Sequence, residues 1–220
     1  MENSDTSSET LVRVNAGPLT LEGNLTIPGG AGGVVLFAHG SGSSRHSPRN
    51  RYVAEVLNQA RLATLLIDLL TSDEEEYDMR TAELRFDIPL LAGRLTAATD
   101  WLLENESTSF MKLGYFGAST GAAAALVAST ERPDAVNAIV SRGGRPDMAG
   151  EALPLVQAPT LLIVGGNDTQ VITLNEMAYD RLQSEKEMSI IPGATHLFSE
   201  PGTLEEVSRL AAGWFTRYLV

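Results

Sequence analysis

Lys112-Leu113-Gly114-Tyr115-Phe116, then Gly117-Ala118-Ser119-Thr120-Gly121, then Ala122-Ala123-Ala124-Ala125 is the stretch on which the reading of this chain turns. An apolar, strand-like run enters a serine flanked by glycines, and a run of small helix-forming residues leaves it. The pattern G-x-S-x-G between a strand and a helix puts the serine on a sharp, strained turn. Small neighbours two positions either side are needed there, because strand and helix approach closely. The helix N-terminus turns free N–H groups and the positive end of its dipole towards the serine, which favours a developing oxyanion. A glycine-rich bend leading into a helix is the plain alternative for the same five residues.

Outward from this stretch the same alternation repeats. Apolar runs at 34–38, 64–68, 111–116, 135–140, 160–164 and 188–191 have the length and composition of buried strands. Helix-period segments separate them. Ser47 caps one with Pro48 at its first position; a second carries Leu91, Leu95, Ala98, Trp101 and Leu102; others cover 120–130, 173–184 and 203–219, the last opening on Thr203-x-x-Glu206 as a capping box. Two β-rich runs at 11–15 and 19–27 around Asn15-Ala16-Gly17-Pro18 predict an N-terminal antiparallel pair. Parallel strands need right-handed crossovers, so the alternation predicts a mainly parallel twisted sheet with helices on both faces. The fold class is α/β, one domain over 11–220 with no large cap domain, after an acidic tail over 1–10 expected to be disordered. The acids from Asp73 to Asp78 read as a solvated loop.

Composition removes several functions. Among 220 residues there is no cysteine and only His39, His46 and His196, so a thiolate nucleophile, cysteine-ligated metal and an H-E-x-x-H zinc site are excluded. No metal and no cofactor are expected. Sixteen Lys and Arg against 28 Asp and Glu give a net charge of -12, which repels nucleic acid and anionic membranes. No signal segment and no membrane-length apolar run is seen, and the expected location is cytoplasmic.

A serine hydroxyl becomes a useful nucleophile only when a base takes its proton, and that base needs a carboxylate to orient it. Leu161-Leu162-Ile163-Val164 leads to Gly165-Gly166-Asn167-Asp168, which sets Asp168 just past a strand's C-terminal end. Ser189-Ile190-Ile191 leads to His196 on the next loop. Ser119, Asp168 and His196 stand in the chain order of an α/β-hydrolase triad. Asp147 is a rival acid, with Arg145 placed to hold it in a structural ion pair. The loop His39-Gly40-Ser41-Gly42-Ser43-Ser44 follows the first buried strand, so the N–H groups of Ser41 and Thr120 are the expected oxyanion hole. Arg45, His46 and Arg142 are candidate substrate-binding residues, each also readable as structural; Arg49 stands beside them. Gly40-x-Gly42 with Asp68 at the end of the next strand is a weak dinucleotide pattern in which Arg45 replaces the third glycine.

With His39-Gly40-Ser41-Gly42-Ser43-Ser44-Arg45-His46-Ser47-Pro48-Arg49-Asn50, Gly117 to Gly121, Ser141-Arg142-Gly143-Gly144-Arg145-Pro146-Asp147 and Gly193-Ala194-Thr195-His196 assembled, the chain resembles the dienelactone hydrolase-like α/β-hydrolases over residues 11–220. The resemblance implies Ser119 as nucleophile with Asp168 and His196 as partners, and cofactor-free hydrolysis of a small-molecule ester or lactone. The enzymes that give the family its name carry cysteine at the elbow, whereas this chain has Ser119, which points to a serine carboxylesterase. Similar chains can be fused to a phosphoribosyltransferase domain, for which these residues leave no room. An amidase, thioesterase or peptidase with the same triad, a hydrolase-fold binding protein without turnover, and the dinucleotide oxidoreductase are the competing readings.

Overall fold

Eight strands form one sheet in the order β1-β2-β4-β3-β5-β6-β7-β8 in the computed structural model, which describes residues 8–220. The strands are β1 (Glu9–Ala16), β2 (Leu19–Thr26), β3 (Gly33–Ala38), β4 (Leu62–Ile67), β5 (Lys112–Ala118), β6 (Val136–Arg142), β7 (Thr160–Gly165) and β8 (Lys186–Ile191). β1 and β2 pair antiparallel, β2 joins β4 antiparallel, and the pairings among β3 to β8 are parallel. Residues 1–7 of the expected tail lie outside the described residues. Glu9 and Thr10 do not belong to a tail, because their backbones already pair with Thr26 and Leu25.

Period-2 alternation sends successive side chains to opposite faces, and both faces are covered. In β3, Val34, Leu36 and Ala38 join one core while Val35 and Phe37 join the other. The first core is completed by α3 (Ile88–Glu104), α4 (Thr120–Glu131) and α5 (Thr169–Arg181); the second by α1 (Pro48–Gln59) and α6 (Thr203–Leu219). Ser47 caps α1 as expected, its Oγ accepting the Asn50 N–H at 3.4 Å.

Two local expectations change. The acidic run is not a loop but α2 (Ser72–Thr81). Thr71 and Glu74 form its capping box, acids in the first turn suit the helix dipole, and Arg94 and Arg85 take up Glu74 and Asp78. Arg85 is seven residues from Asp78 and Arg94 twenty from Glu74, separations that no helical i,i+4 pattern reveals. At α6 no capping box forms: the N-cap is Gly202, and Thr203 Oγ1 donates to the Glu200 carbonyl at 2.7 Å instead.

From β3 the chain winds to β4 on one side, and β5 lies on the other. This is the topological switch point, where an open α/β sheet leaves a crevice beyond its strand ends. The loops after β3 and β5 meet there: a Cβ added at Gly40 would lie 2.9 Å from Ser119 Cβ.

Candidate active site

Ser119 sits between β5 and α4 with φ 50° and ψ -122°, a strained conformation for a residue with a Cβ. The turn is held by its backbone. Ser119 N–H donates to the Arg142 carbonyl at 3.4 Å, and the Ser119 carbonyl accepts from Ala122 at 3.1 Å and Arg145 at 3.0 Å. Both flanking glycines are required by space. A Cβ at Gly121 would come 2.2 Å from Ala38 O, and one at Gly117 would come 2.4 Å from Ala122 Cα. The elbow therefore exists because β3, β5 and α4 are packed backbone against backbone.

Asp168 ends the β7 turn and initiates α5, with its side chain largely shielded. Its Oδ2 lies 2.7 Å from Nδ1 of the half-exposed His196. With the proton on Nδ1 donated to Asp168, Nε2 is left as an acceptor, the arrangement a general base needs. The loop between β8 and α6 holds His196 in place. Thr195 N–H and Oγ1 donate to Glu200 at 3.1 and 2.6 Å, and Asn167 N–H donates to the Ala194 carbonyl at 2.9 Å. The Thr195 hydroxyl and then its N–H hold the Glu200 carboxyl below the usual carboxylate range.

The loop after β6 touches both the Ser119 turn and the His196 loop. Gly143, at φ 51°, lies against His196: a Cβ there would stand 3.1 Å from His196 O and 3.6 Å from its Nδ1. Two residues on, Arg145 N–H holds the Ser119 carbonyl. Asn175, fully buried on α5, pins this loop by donating to Gly144 O at 3.0 Å. Its amide is one polar residue among several in the helix-period segment, and nothing in the pattern marks it as the one that is buried. Asp147, the rival acid, is held by Arg145 through two bonds of 2.9 and 2.8 Å, leaving Asp168 as the carboxylate on the histidine.

Ser41 and Thr120 both line a cavity of about 240 Å³, with their hydroxyls 3.1 Å apart. Thr120 is the first residue of α4, so its N–H has no intrahelical partner. The preceding His39 is buried and tethers the loop: its Nε2 accepts the Leu69 N–H at 3.0 Å, and its Nδ1 lies 3.0 Å from the Gly40 carbonyl. Burial holds this imidazole below its usual range. Leu70, Leu91, Met79, Glu75, Asp78 and Arg85 supply the rest of the wall, most of it from α2 and the turn after it. Glu75 is raised above the usual carboxylate range, first by burial and then by the Asp68 charge. The wall depends on the acidic run being the helix α2, and a solvated loop over the same residues would not form it.

The candidate substrate-binding residues divide. Arg45 donates to Glu22 and Asp68 and also to Asn24 at 2.9 Å, so its guanidinium staples β2 to the β3 loop and does not face the cavity. That correction also removes Asp68 as a ribose acid, since the Arg45 N–H and guanidinium both occupy it. The loop 40–44 likewise opens no helix; α1 starts only at Pro48. His46 is exposed and lies outside the cavity wall. Arg142 is buried beneath the β6 loop, and burial with the neighbouring Arg49 charge draws its guanidinium down to about 10. Among the described residues no group of three or more His, Asp or Glu could hold a metal ion, and no helix is long and apolar enough to cross a membrane.

A mainly parallel sheet, a strained serine elbow at the switch point and a histidine–carboxylate pair on the following loops define an α/β-hydrolase. The chain belongs to the dienelactone hydrolase family, whose model matches residues 64–215. The crystal structure of dienelactone hydrolase from Anabaena variabilis is 64% identical, with a TM-score of 0.96 over 97% of this chain and 99% of that one. Est1E from Butyrivibrio proteoclasticus shares the fold at 14% identity, with a TM-score of 0.78 over 94% of this chain and 98% of that one. A Mycobacterium tuberculosis protein named "Putative phosphoribosyl transferase" is 56% identical over 94% of this chain and 46% of its own length. The chain thus spans about half of that curated relative.

Proposed function

We propose that the protein is a serine hydrolase that cleaves small carboxylic esters or lactones through an acyl-enzyme. The observation that carries this reading is the 2.7 Å contact from His196 Nδ1 to Asp168, on a loop packed against the same Gly143 to Arg145 segment that holds the Ser119 elbow. Ser119 Oγ attacks the carbonyl carbon while His196 Nε2 takes its proton, and the tetrahedral oxyanion is held by the Ser41 and Thr120 N–H groups. Collapse expels the alcohol, which leaves with the proton from His196. Water then attacks the acyl-serine with His196 again as base and regenerates Ser119. Asp168 keeps the imidazole in the required tautomer and stabilises it when protonated. The name-giving chemistry of the Mycobacterium tuberculosis relative belongs to a protein more than half of which lies outside the match, and this site supports acyl transfer to water.

The test is a fluorophosphonate probe with the Ser119→Ala variant beside it. Wild-type protein should label stoichiometrically and hydrolyse nitrophenyl acetate; the folded variant should not label and should lose at least about 10⁴-fold in turnover. Near-wild-type hydrolysis by the variant would remove Ser119 from the mechanism. A wild-type protein that neither labels nor turns over would instead be a hydrolase-fold binding protein.

A further inference from the structure

Two arginines on the α1 side of the site have no acidic partner among the described residues. Arg142, at the end of β6, is only 8% exposed; its Nη2 donates to Asn50 Oδ1 at 3.3 Å, while its Nε and Nη1 are buried without a partner. Arg49 Nε, one residue from Asn50, is also buried and unpartnered. The charge that acts on Arg142 is the like charge of Arg49. Arg49 lies in the first turn of α1 and Arg142 reaches that turn through Asn50, so the positive end of the helix dipole adds to their potential. Elsewhere in this acidic chain comparable arginines are matched: Arg45 by Asp68 and Glu22, Arg85 by Asp78, Arg94 by Glu74. Burying an unpaired guanidinium beside another cation is strongly unfavourable unless something neutralises it.

We infer that Arg142, Arg49 and the first turn of α1 form a binding site for an oxyanion, a carboxylate or a phosphate group, beside the loop that carries His196. Three unpartnered guanidinium nitrogens, Nε and Nη1 of Arg142 and Nε of Arg49, stand by the start of α1, linked to it through Arg142 Nη2 and Asn50, and a planar guanidinium matches the oxygens of either group. The site is distinct from the cavity next to Ser41 and Thr120, whose wall contains neither arginine. It adjoins the chemistry through the backbone: the Arg142 carbonyl holds Ser119 N–H, and the next residue packs against His196. An anion here would therefore sit on the histidine side, where the alcohol leaves. The anion has two sources, free phosphate or a carboxylate on the alcohol part of a substrate. Only the second rests on the hydrolase reading.

Calorimetry with inorganic phosphate and with acetate, at constant ionic strength, on the Ser119→Ala protein tests binding without turnover. Saturable binding of either anion, weakened at least 10-fold by Arg142→Met and by Arg49→Gln, is the expected result. In phosphate-free buffer Arg142→Met should melt no lower than wild type, since it removes a buried uncompensated charge, and phosphate should raise the wild-type Tm but not the variant's. Should Arg142→Met not fold, the partly exposed Arg49→Gln still reports the site. Steady-state kinetics then assigns the source. A KM for carboxyphenyl acetate raised at least 10-fold by Arg49→Gln, with that for nitrophenyl acetate unchanged, assigns it to a substrate carboxylate; phosphate binding with equal KM values assigns it to free phosphate. Absence of saturable binding by both anions, or equal affinity in wild type and both variants, overturns the site whether or not the protein hydrolyses esters.

Discussion

Replacing Gly121 by alanine is the sharpest test of why the elbow has its shape. The new Cβ would stand 2.2 Å from Ala38 O, 2.5 Å from His39 O and 2.7 Å from Ala38 C. All three are backbone atoms at the end of β3, so no side chain can swing aside. Ordinary van der Waals spacing returns only if α4 and the β3 end separate by roughly 1 Å, and overpacking of this kind costs about 1–3 kcal/mol, at the upper end where backbone must yield. For a chain of this size each kcal/mol lowers Tm by about 2–4 °C, so a loss of about 6–12 °C is expected. Ala38 and His39 lead directly into the Ser41 loop, and a displacement of about 1 Å in an oxyanion donor can remove about 10²-fold in turnover. Gly93→Ala is the control: that glycine is exposed inside α3 with nothing within 4 Å of a built Cβ. It should raise stability by about 0.5–1 kcal/mol and leave turnover alone. The measurements are melting followed by far-UV circular dichroism and kcat/KM for nitrophenyl acetate. If Gly121→Ala melts within about 2 °C of wild type and keeps its activity, the elbow is not closed by β3 and the steric account fails.

The remaining expectations follow from the same geometry. Asp168→Asn should cut kcat by about 10⁴-fold by favouring the wrong imidazole tautomer, whereas Asp147→Asn, which loses only a partly exposed pair with Arg145, should cost under about 1 kcal/mol and little activity; the reverse order in purified, folded variants would transfer the orienting role to Asp147. His39 is buried neutral with its pKa depressed, so the unfolded chain binds that proton more readily. Its contribution is complete above the unfolded value of about 6.5 and is lost as pH falls through the lower folded value; a His39→Gln variant should show a flatter dependence of stability on pH below about 6.5, and an unchanged slope would deny His39 that part. A cavity of about 240 Å³ walled by Glu75, Asp78 and Arg85 should reward only short acyl chains. The gain of up to about 0.8 kcal/mol per methylene, roughly fourfold in kcat/KM, should stop within the first few carbons, and a steady rise from acetate to palmitate below the aggregation limits would reveal an apolar channel.

Ser119, Asp168 and His196 are candidates the linear chain itself offers, because Ser119 and Asp168 follow buried strands and His196 follows the edge strand β8, each through a glycine-bearing loop that is a local pattern. The alternation of strands and helices, the antiparallel opening and the Ser47 cap are local or short-range too, and the sequence by itself determined them. The charged residues were a different matter. Arg45 was a substrate candidate until the fold brought Glu22 and Asp68 to it, and the acids around Asp78 looked like a solvated loop until Arg85 and Arg94 arrived. A charge has no periodicity that names its partner: its cost or benefit depends on burial and on what stands a few ångströms away, and both arise only on folding. The same holds for Asn175, which acquires a role when α5 lies under the Gly144 carbonyl, and for Arg142 and Arg49, whose lack of a counter-charge is visible only once every neighbour is in place. Backbone pattern and the order of Ser119, Asp168 and His196 are thus properties of this sequence, whereas the cavity wall, the partners of its charges and the lack of an acid beside Arg142 and Arg49 among the described residues were decided by tertiary packing.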